Sequence, residues 1–200
     1  MIPNAINRKR SYHQGGVAMI EALVAILILS IGVLGMVGMQ SASIRYEQNS
    51  WARSAVSMVA SDISDRIRAN AGSADNAYVY SNTYAAERTL IDAGGAFTVS
   101  PDCASTVCSP AELAAFDLVQ WRDSLNRQAP GSVGMITGSR DTNYNVTIAW
   151  FDKSWLSGTN TLETAPQCSG SMVQAAARNC CPAALSSPAG VRCVNFSVLP

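Results

Sequence analysis

Arg8-Lys9-Arg10, then Gly15-Gly16-Val17-Ala18-Met19-Ile20-Glu21, then apolar residues without a break to Met39: this is the stretch on which the fold turns. Residues 17–39 form a run of 23 positions whose only charge is Glu21, five places past the second glycine. As a helix at about 1.5 Å per residue the run covers ~35 Å, enough for a hydrocarbon layer of about 30 Å with some tilt. A secretory hydrophobic region is shorter, roughly 7–15 residues, and closes on a small-x-small site, whereas this run simply continues. Three basic residues ahead of it and mixed charges behind it put the N-terminus in the cytoplasm and the remainder in the periplasm. Glu21 does not suit a plain anchor. An ionised carboxylate at membrane depth costs at least ~2.5 kcal/mol and marks a specific partner.

The basic N-terminal stretch, the Gly-Gly step and the glutamate at the fifth position beyond it resemble the leader of type IV pilins and of type II secretion pseudopilins. The resemblance implies that residues 1–16 are a leader peptide and that a membrane-bound prepilin peptidase cuts between Gly16 and Val17. It also implies that the new N-terminus is methylated and that Glu21 is needed for efficient assembly. Cleavage would create an α-amino group on Val17, and in a helical polymer the carboxylate of one subunit can lie near the amine of its neighbour. Two unit charges about 4 Å apart attract far more strongly in low dielectric than in water, which offsets part of their desolvation and reports register. The motif departs from the family's usual aromatic or Met followed by Thr after the glycine, but Gly16 and Glu21 are kept.

Residues 29–40 read Leu-Ser-Ile-Gly-Val-Leu-Gly-Met-Val-Gly-Met-Gln, with glycines at 32, 35 and 38. Each glycine weakens a helix interior by ~1 kcal/mol relative to alanine, a cost accepted where helices pack closely in a membrane or where a helix must melt locally. Simple tolerance of glycine in membrane helices explains them equally well. The run is similar to the minor pilin family named type IV pilus modification protein PilV.

From Gln40 helical spacing persists through Ala52, Val56, Val59, Ile63 and Ile67, with Trp51, Ala55 and Met58 widening the stripe. Asp62 and Arg66 form an i,i+4 pair on the polar side. Asn70-Ala71-Gly72 reads as the stop, since Gly accepts a left-handed cap. One helix from 17 to about 70 would be ~80 Å long, apolar all round in its first half and on one side in its second. No a/d heptad persists, which argues against a coiled coil.

Residues 73–95 read as an irregular link with a short helix near Tyr84 to Leu90, and Phe97-Thr98-Val99 as a short strand. Ser109-Pro110-Ala111-Glu112 opens a second helix in the capping-box pattern, with Leu118, Trp121 and Leu125 sharing a face with Ala111 and Ala114 and Pro130-Gly131 ending it. Val133, Met135 and Thr137 alternate, residues 139–142 turn, and Tyr144, Val146, Ile148 and Trp150 alternate again, the signature of a β-hairpin. Val194, Phe196 and Val198 mark a C-terminal strand. No internal repeat is present. The sum is an α+β chain of type IV pilin fold: a long N-terminal helix, transmembrane and then amphipathic, packed on a small head with a three- or four-stranded antiparallel sheet. The expected organisation is a leader at 1–16, a transmembrane or filament-core helix at 17–39, the amphipathic half of the stalk at 40–70 and a periplasmic head at 71–200. The block from Cys103 to Trp121 again resembles PilV, whose head has a similar cysteine pair, helix and following strand, and the resemblance fades over residues 159–190.

The six cysteines, at 103, 108, 168, 180, 181 and 193, all follow the apolar run, and in an oxidising periplasm an even number implies three disulfides. Cys103 with Cys108 closes a small loop ahead of the capped helix. Adjacent Cys180 and Cys181 are strained as a pair, so each reaches one of Cys168 and Cys193, in an order the spacing leaves open. A zinc site is the rival reading, but no CxxC is present and the only histidine, His13, lies in the leader. We therefore expect no metal and no other cofactor. Without His a processed chain has no Ser-His or Cys-His nucleophile pair, and no nucleophile elbow or phosphate loop is found. Asp117, Asp123 and Asp141 read as solvent-facing charges, so no catalytic residue is assigned and an enzyme is not expected.

Lys+Arg and Asp+Glu balance at 14 each, and removal of three leader bases leaves 11 bases against 14 acids, which argues against nucleic acid. Arg45, Arg53 and Arg122 read as solvated faces or ion pairs. The resemblance implies a minor pilin that acts with other minor pilins and the major pilin at the tip, priming assembly and supporting adhesion or twitching, with a tip adhesin as a further partner. It would sit in the inner membrane by one span before assembly and in the pilus at the cell surface afterwards. The alternatives are a minor pseudopilin of a type II secretion system and a membrane-anchored periplasmic binding domain.

Overall fold

The computed structural model describes residues 17–93 and 98–200. In chain order the elements are α1 (Val17–Ala69), α2 (Tyr84–Asp92), α3 (Pro110–Gln128), β1 (Val133–Ser139), β2 (Asn143–Phe151), α4 (Gln174–Asn179), a single 3₁₀ turn (Ala183–Leu185) and β3 (Val191–Val198). The chain divides into two compact units, Met1–Glu47 and Gln48–Pro200. This is the α+β architecture expected of a type IV pilin fold: an apolar N-terminal helix and a small antiparallel sheet. The expected leader, residues 1–16, lies outside the described residues.

In the first unit α1 is α-helical through Gly32, Gly35 and Gly38. Leu, Ala and Met are strong helix formers, and no proline interrupts them. The hydroxyl of Ser30, the polar intruder of the run, donates to the Leu27 carbonyl at 2.8 Å and is satisfied within the helix. Among the described residues one segment, Met19–Ile44, is long and apolar enough to cross a membrane.

In the second unit the C-terminal part of α1 buries Ala55, Val56, Val59, Ala60, Ile63 and Ile67. Trp51 and Met58, expected to widen that stripe, are instead 58% and 65% exposed. Two residues on from Val56 is about 200° around an α-helix, so Met58 points away from the face Val56 buries. Gly72 takes no left-handed cap. The Asn70 N–H closes the last turn onto the Arg66 carbonyl at 3.1 Å, its side-chain amide donates to the Pro110 carbonyl at 2.7 Å, and Arg140 Nη2 donates to its carbonyl at 3.0 Å. Tertiary partners satisfy the helix end in place of the glycine.

α3 starts with the full capping box: the Ser109 hydroxyl accepts from the Glu112 N–H, and the Glu112 carboxylate accepts from the Ser109 N–H at 2.8 Å. Ala114, Trp121 and Leu125 are buried on its inner face, whereas Ala111 is exposed. The Trp121 indole N–H donates to the Val59 carbonyl at 3.1 Å, joining α3 to α1 inside this unit.

The sheet has three antiparallel strands in the order β1-β2-β3, with Met135 opposite Thr147 and Ile148 opposite Val194. A one-sided alternation predicts one covered face; both are covered. On one face Ile136, Tyr144, Val146, Ile148, Trp150 and Val198 pack with Val56, Val59, Ile63 and Trp121. On the other, Val133, Met135, Ala149, Val191 and Cys193 pack with Tyr84, Cys181 and Leu185. That is why Val133 through Ile136 are buried without alternation. Tyr80 exchanges both backbone hydrogen bonds with Ile136, at 2.9 and 2.7 Å, and closes the outer edge of β1. Of the strand expected at Phe97-Thr98-Val99, Phe97 lies outside the described residues and Thr98 and Val99 form no strand.

Gly134 is where the sheet and α3 come closest. A Cβ there would stand 2.3 Å from Cη2 and 2.8 Å from Cζ3 of the buried Trp121 ring. Gly134→Ala must therefore displace the side chain that ties α3 to α1, and overpacking of this kind costs about 1–3 kcal/mol. The midpoint of urea unfolding, followed by tryptophan fluorescence of the chain in detergent, is expected to fall accordingly. An unchanged midpoint would contradict this packing.

Candidate functional site

Met19–Ile44 presents an apolar surface with no cover of its own: every side chain in it is exposed, Met19 at 72% and Leu34 at 70%. Glu21 is the single charged residue within it and is itself exposed. Among the described residues none pairs with its carboxylate. Val17, where the new N-terminus was expected, is the first residue of α1, and Gly16 lies outside the described residues. Apart from the helix's own backbone, a Cβ at Gly32, Gly35 or Gly38 would meet no described atom within 4 Å, so packing among the described residues does not require these glycines. Surface of this composition is compatible with lipid or with the apolar faces of other helices, and the bare backbone at three turns permits close approach.

The second unit holds two buried polar clusters that were not foreseen. Asp117, expected to face solvent, is 6% exposed. It accepts from Arg66 Nη1 at 3.0 Å and from the Tyr78 hydroxyl at 2.6 Å, while Arg66 also reaches Asp62 Oδ2 at 3.0 Å and Gln120 Oε1 at 3.1 Å. Burial pulls Arg66 down, but its hydrogen bonds to Asp117 and Asp62 and the charges of both acids outweigh that, leaving the guanidinium above its ordinary value. Burial first, and then donation to Asp117, hold the Tyr78 phenol far above its usual range. The signal was in the spacing: position 117 lies three after Ala114 and four before Trp121, on the buried stripe of α3. Asp123 pairs with Arg127 at 2.8 Å, and Asp141 is exposed.

Glu87 is the other buried carboxylate. It accepts from Arg122 Nε at 2.7 Å, from Asn82 Nδ2 at 3.1 Å and from the Tyr80 hydroxyl, and the Arg122 guanidinium lies 4.4 Å from the centre of the Tyr80 ring. Arg122 is thus an ion pair rather than a solvated charge. Both clusters satisfy their own donors and acceptors, which makes them anchors of the fold rather than reactive groups.

Three disulfides are present: Cys103–Cys108, Cys168–Cys180 and Cys181–Cys193. The adjacent pair divides. Cys180 fastens its segment back to Cys168, and Cys181 fastens it to β3 at Cys193, inside the second core cluster. Each closes a separation of 12 residues in a region with little regular structure, where cross-linking constrains the unfolded chain by about 3 kcal/mol. Among the described residues no group of three or more His, Cys, Asp or Glu side chains is placed to hold a metal ion.

The Tyr80 phenol is pushed up to about 12, by burial first and by its hydrogen bond to Glu87 second. The folded state therefore favours the neutral phenol. Its contribution to stability is complete below the ordinary tyrosine value of about 10 and is lost as pH rises through about 12. In an alkaline titration of phenolate absorbance a late component is expected, and Tyr80→Phe removes one tyrosine's worth of it. Complete ionisation of all six tyrosines well below pH 12 would contradict this environment.

A family model described as Type IV pilin Tt1218 matches residues 38–119, which run from the end of the apolar segment through α2 into α3. No curated protein and no solved structure matches the chain. The apolar helix, the small antiparallel sheet and this match together support a type IV pilin.

Proposed function

We propose that this chain is a minor pilin of the type IV pilus, of the PilV kind, inserted in the inner membrane through Met19–Ile44 and then assembled into the filament at or near its tip. A prepilin peptidase removes residues 1–16, leaving Val17 as the methylated first residue. The observation that carries the reading is Glu21: a carboxylate with no partner among the described residues, on an apolar helix whose side chains are exposed over Met19–Ile44. Such a group is tolerable in hydrocarbon only with a partner, and the α-amino group of a neighbouring subunit supplies one of the right charge. In this reading the chain does no catalysis. The glycines at 32, 35 and 38 let neighbouring helices approach, and the disulfide-tied head faces outward to other minor pilins, the major pilin and a tip adhesin. The PilV assignment rests on the run at 29–40 and the block at 103–121, since the leader motif is shared with secretion pseudopilins.

Gly16→Arg is expected to leave a full-length precursor in the membrane and to abolish recovery of the protein from sheared pili, both read by immunoblot; normal processing would defeat the leader assignment. Glu21→Gln separates the steps further. Removing the charge lowers the cost of insertion, so membrane levels are maintained and cleavage persists, while incorporation into pili falls. Equal recovery of Glu21→Gln and the parent from sheared pili would rule out the charge pair.

A further inference from the structure

A cleft of about 730 Å³ lies wholly within the second unit, between α1, α4 and the edge strand β3. We propose that this cleft receives an extended, acidic segment of a partner protein, which pairs with the backbone of β3 and sets its carboxylates against Arg53 and Arg178. The inference goes beyond the filament reading and holds whether or not the apolar helix is part of a filament.

Backbone pairing comes first. From Arg192 to Val198 the main chain of β3 pairs with β2 on one side, and among the described residues no other segment hydrogen-bonds to it. The other edge of the sheet is treated differently, since Tyr80 closes β1. β3 is eight residues long, without proline, and carries a single charge, Arg192, already paired with Asp152. A strand edge of that length and composition is a template for a further strand, which proteins normally blunt or cover.

Apolar contacts and charge narrow the occupant. Val56, Trp150, Val194 and Phe196 line the cleft with apolar surface, and the buried Trp150 indole N–H has no acceptor among the described residues. Arg53 and Arg178 stand on α1 and α4, exposed, and neither has an acid within ion-pairing distance among the described residues. Arg66, Arg68, Arg88, Arg122, Arg127 and Arg192 of the same unit are paired with acids, whereas Arg140 donates to Asn70 and Ser73 and the exposed Lys153 lies outside the cleft lining. Two unpaired cations flanking an open edge select a strand with carboxylates and alternate apolar residues. The α4 wall is held in place beforehand: Asn195 Nδ2 donates to the Ala177 and Cys180 carbonyls, both at 2.9 Å, and Cys180 is tied to Cys168.

The test uses the full chain in detergent micelles and a fluorescein-labelled peptide, Glu-Val-Glu-Val-Thr-Val. Fluorescence anisotropy is expected to show saturable binding that weakens with added salt. It should weaken at least about tenfold for the Lys-for-Glu peptide, for the peptide with alternate backbone N-methyl groups, and for Arg53→Glu combined with Arg178→Glu. Both arginines are exposed, and an unchanged near-ultraviolet circular dichroism spectrum verifies that the double variant folds. Binding should also shift the Trp150 indole N–H resonance, assigned by its disappearance in Trp150→Phe. Absence of saturable binding overturns the proposal, as does an N-methylated or lysine peptide that binds as well as the parent. Concentration-dependent dimerisation that the peptide does not displace assigns the cleft to a second copy of the chain and overturns it equally.

Discussion

A carboxylate alone in an apolar helix is the constraint around which this chain is organised. Over Met19–Ile44 the only ionisable side chain is Glu21, and no described residue bonds to it or covers the apolar surface around it. Hydrophobic surface of that extent is unstable in water, and a bare charge is unstable in hydrocarbon, so neither solvent alone suits the segment. Both requirements are met when like helices gather and an amine is brought to the acid. In the function proposed above that amine belongs to a neighbouring subunit; the family match, over residues 38–119, supports a type IV pilin.

The second unit, in contrast, carries its own core. α1 from Gln48 onward, α3 and one sheet face share one core, and the other face is closed by Tyr84, Leu185 and the segment tied down by Cys181–Cys193. Buried acids are neutralised within it: Asp117 by Arg66 with Tyr78, and Glu87 by Arg122 with Tyr80. Each joins segments distant in sequence, residue 66 to residue 117 and residue 87 to residue 122. An unpaired buried charge costs far more than a paired one contributes, so these clusters penalise wrong arrangements of the helices more than they add net stability. The exposed Arg53 and Arg178 have no such acid among the described residues.

Much of this was readable from local pattern. The capping box at Ser109, the hairpin across residues 139–142, the C-terminal strand and the short helix at Tyr84 all arise from interactions within a few residues, where periodicity and turn chemistry carry the information. Failures came where distant partners decide. The second buried face of β1 depends on a segment some fifty residues further along, in a region whose composition carries little periodic signal. Spacing alone puts Asp117 on the buried stripe of α3, but a carboxylate is acceptable there only with Arg66 and Tyr78 opposite it, and no local rule reports those partners. The end of α1 was assigned to Gly72, but Pro110 and Arg140 satisfy the last polar groups. Cys180 and Cys181 could be divided between two partners from spacing alone, while the order, Cys168 to Cys180 and Cys181 to Cys193, required the fold.

Zero-length carbodiimide cross-linking of isolated filaments, followed by peptide mapping, bears most directly on the central claim. It joins a carboxylate to an amine only where the two are in contact. The account predicts an amide between Glu21 of one subunit and the α-amino group that opens its neighbour, lost in Glu21→Gln. Recovery of Glu21 unmodified in filaments that cross-link elsewhere, or joined only to an amine of its own chain, would contradict it.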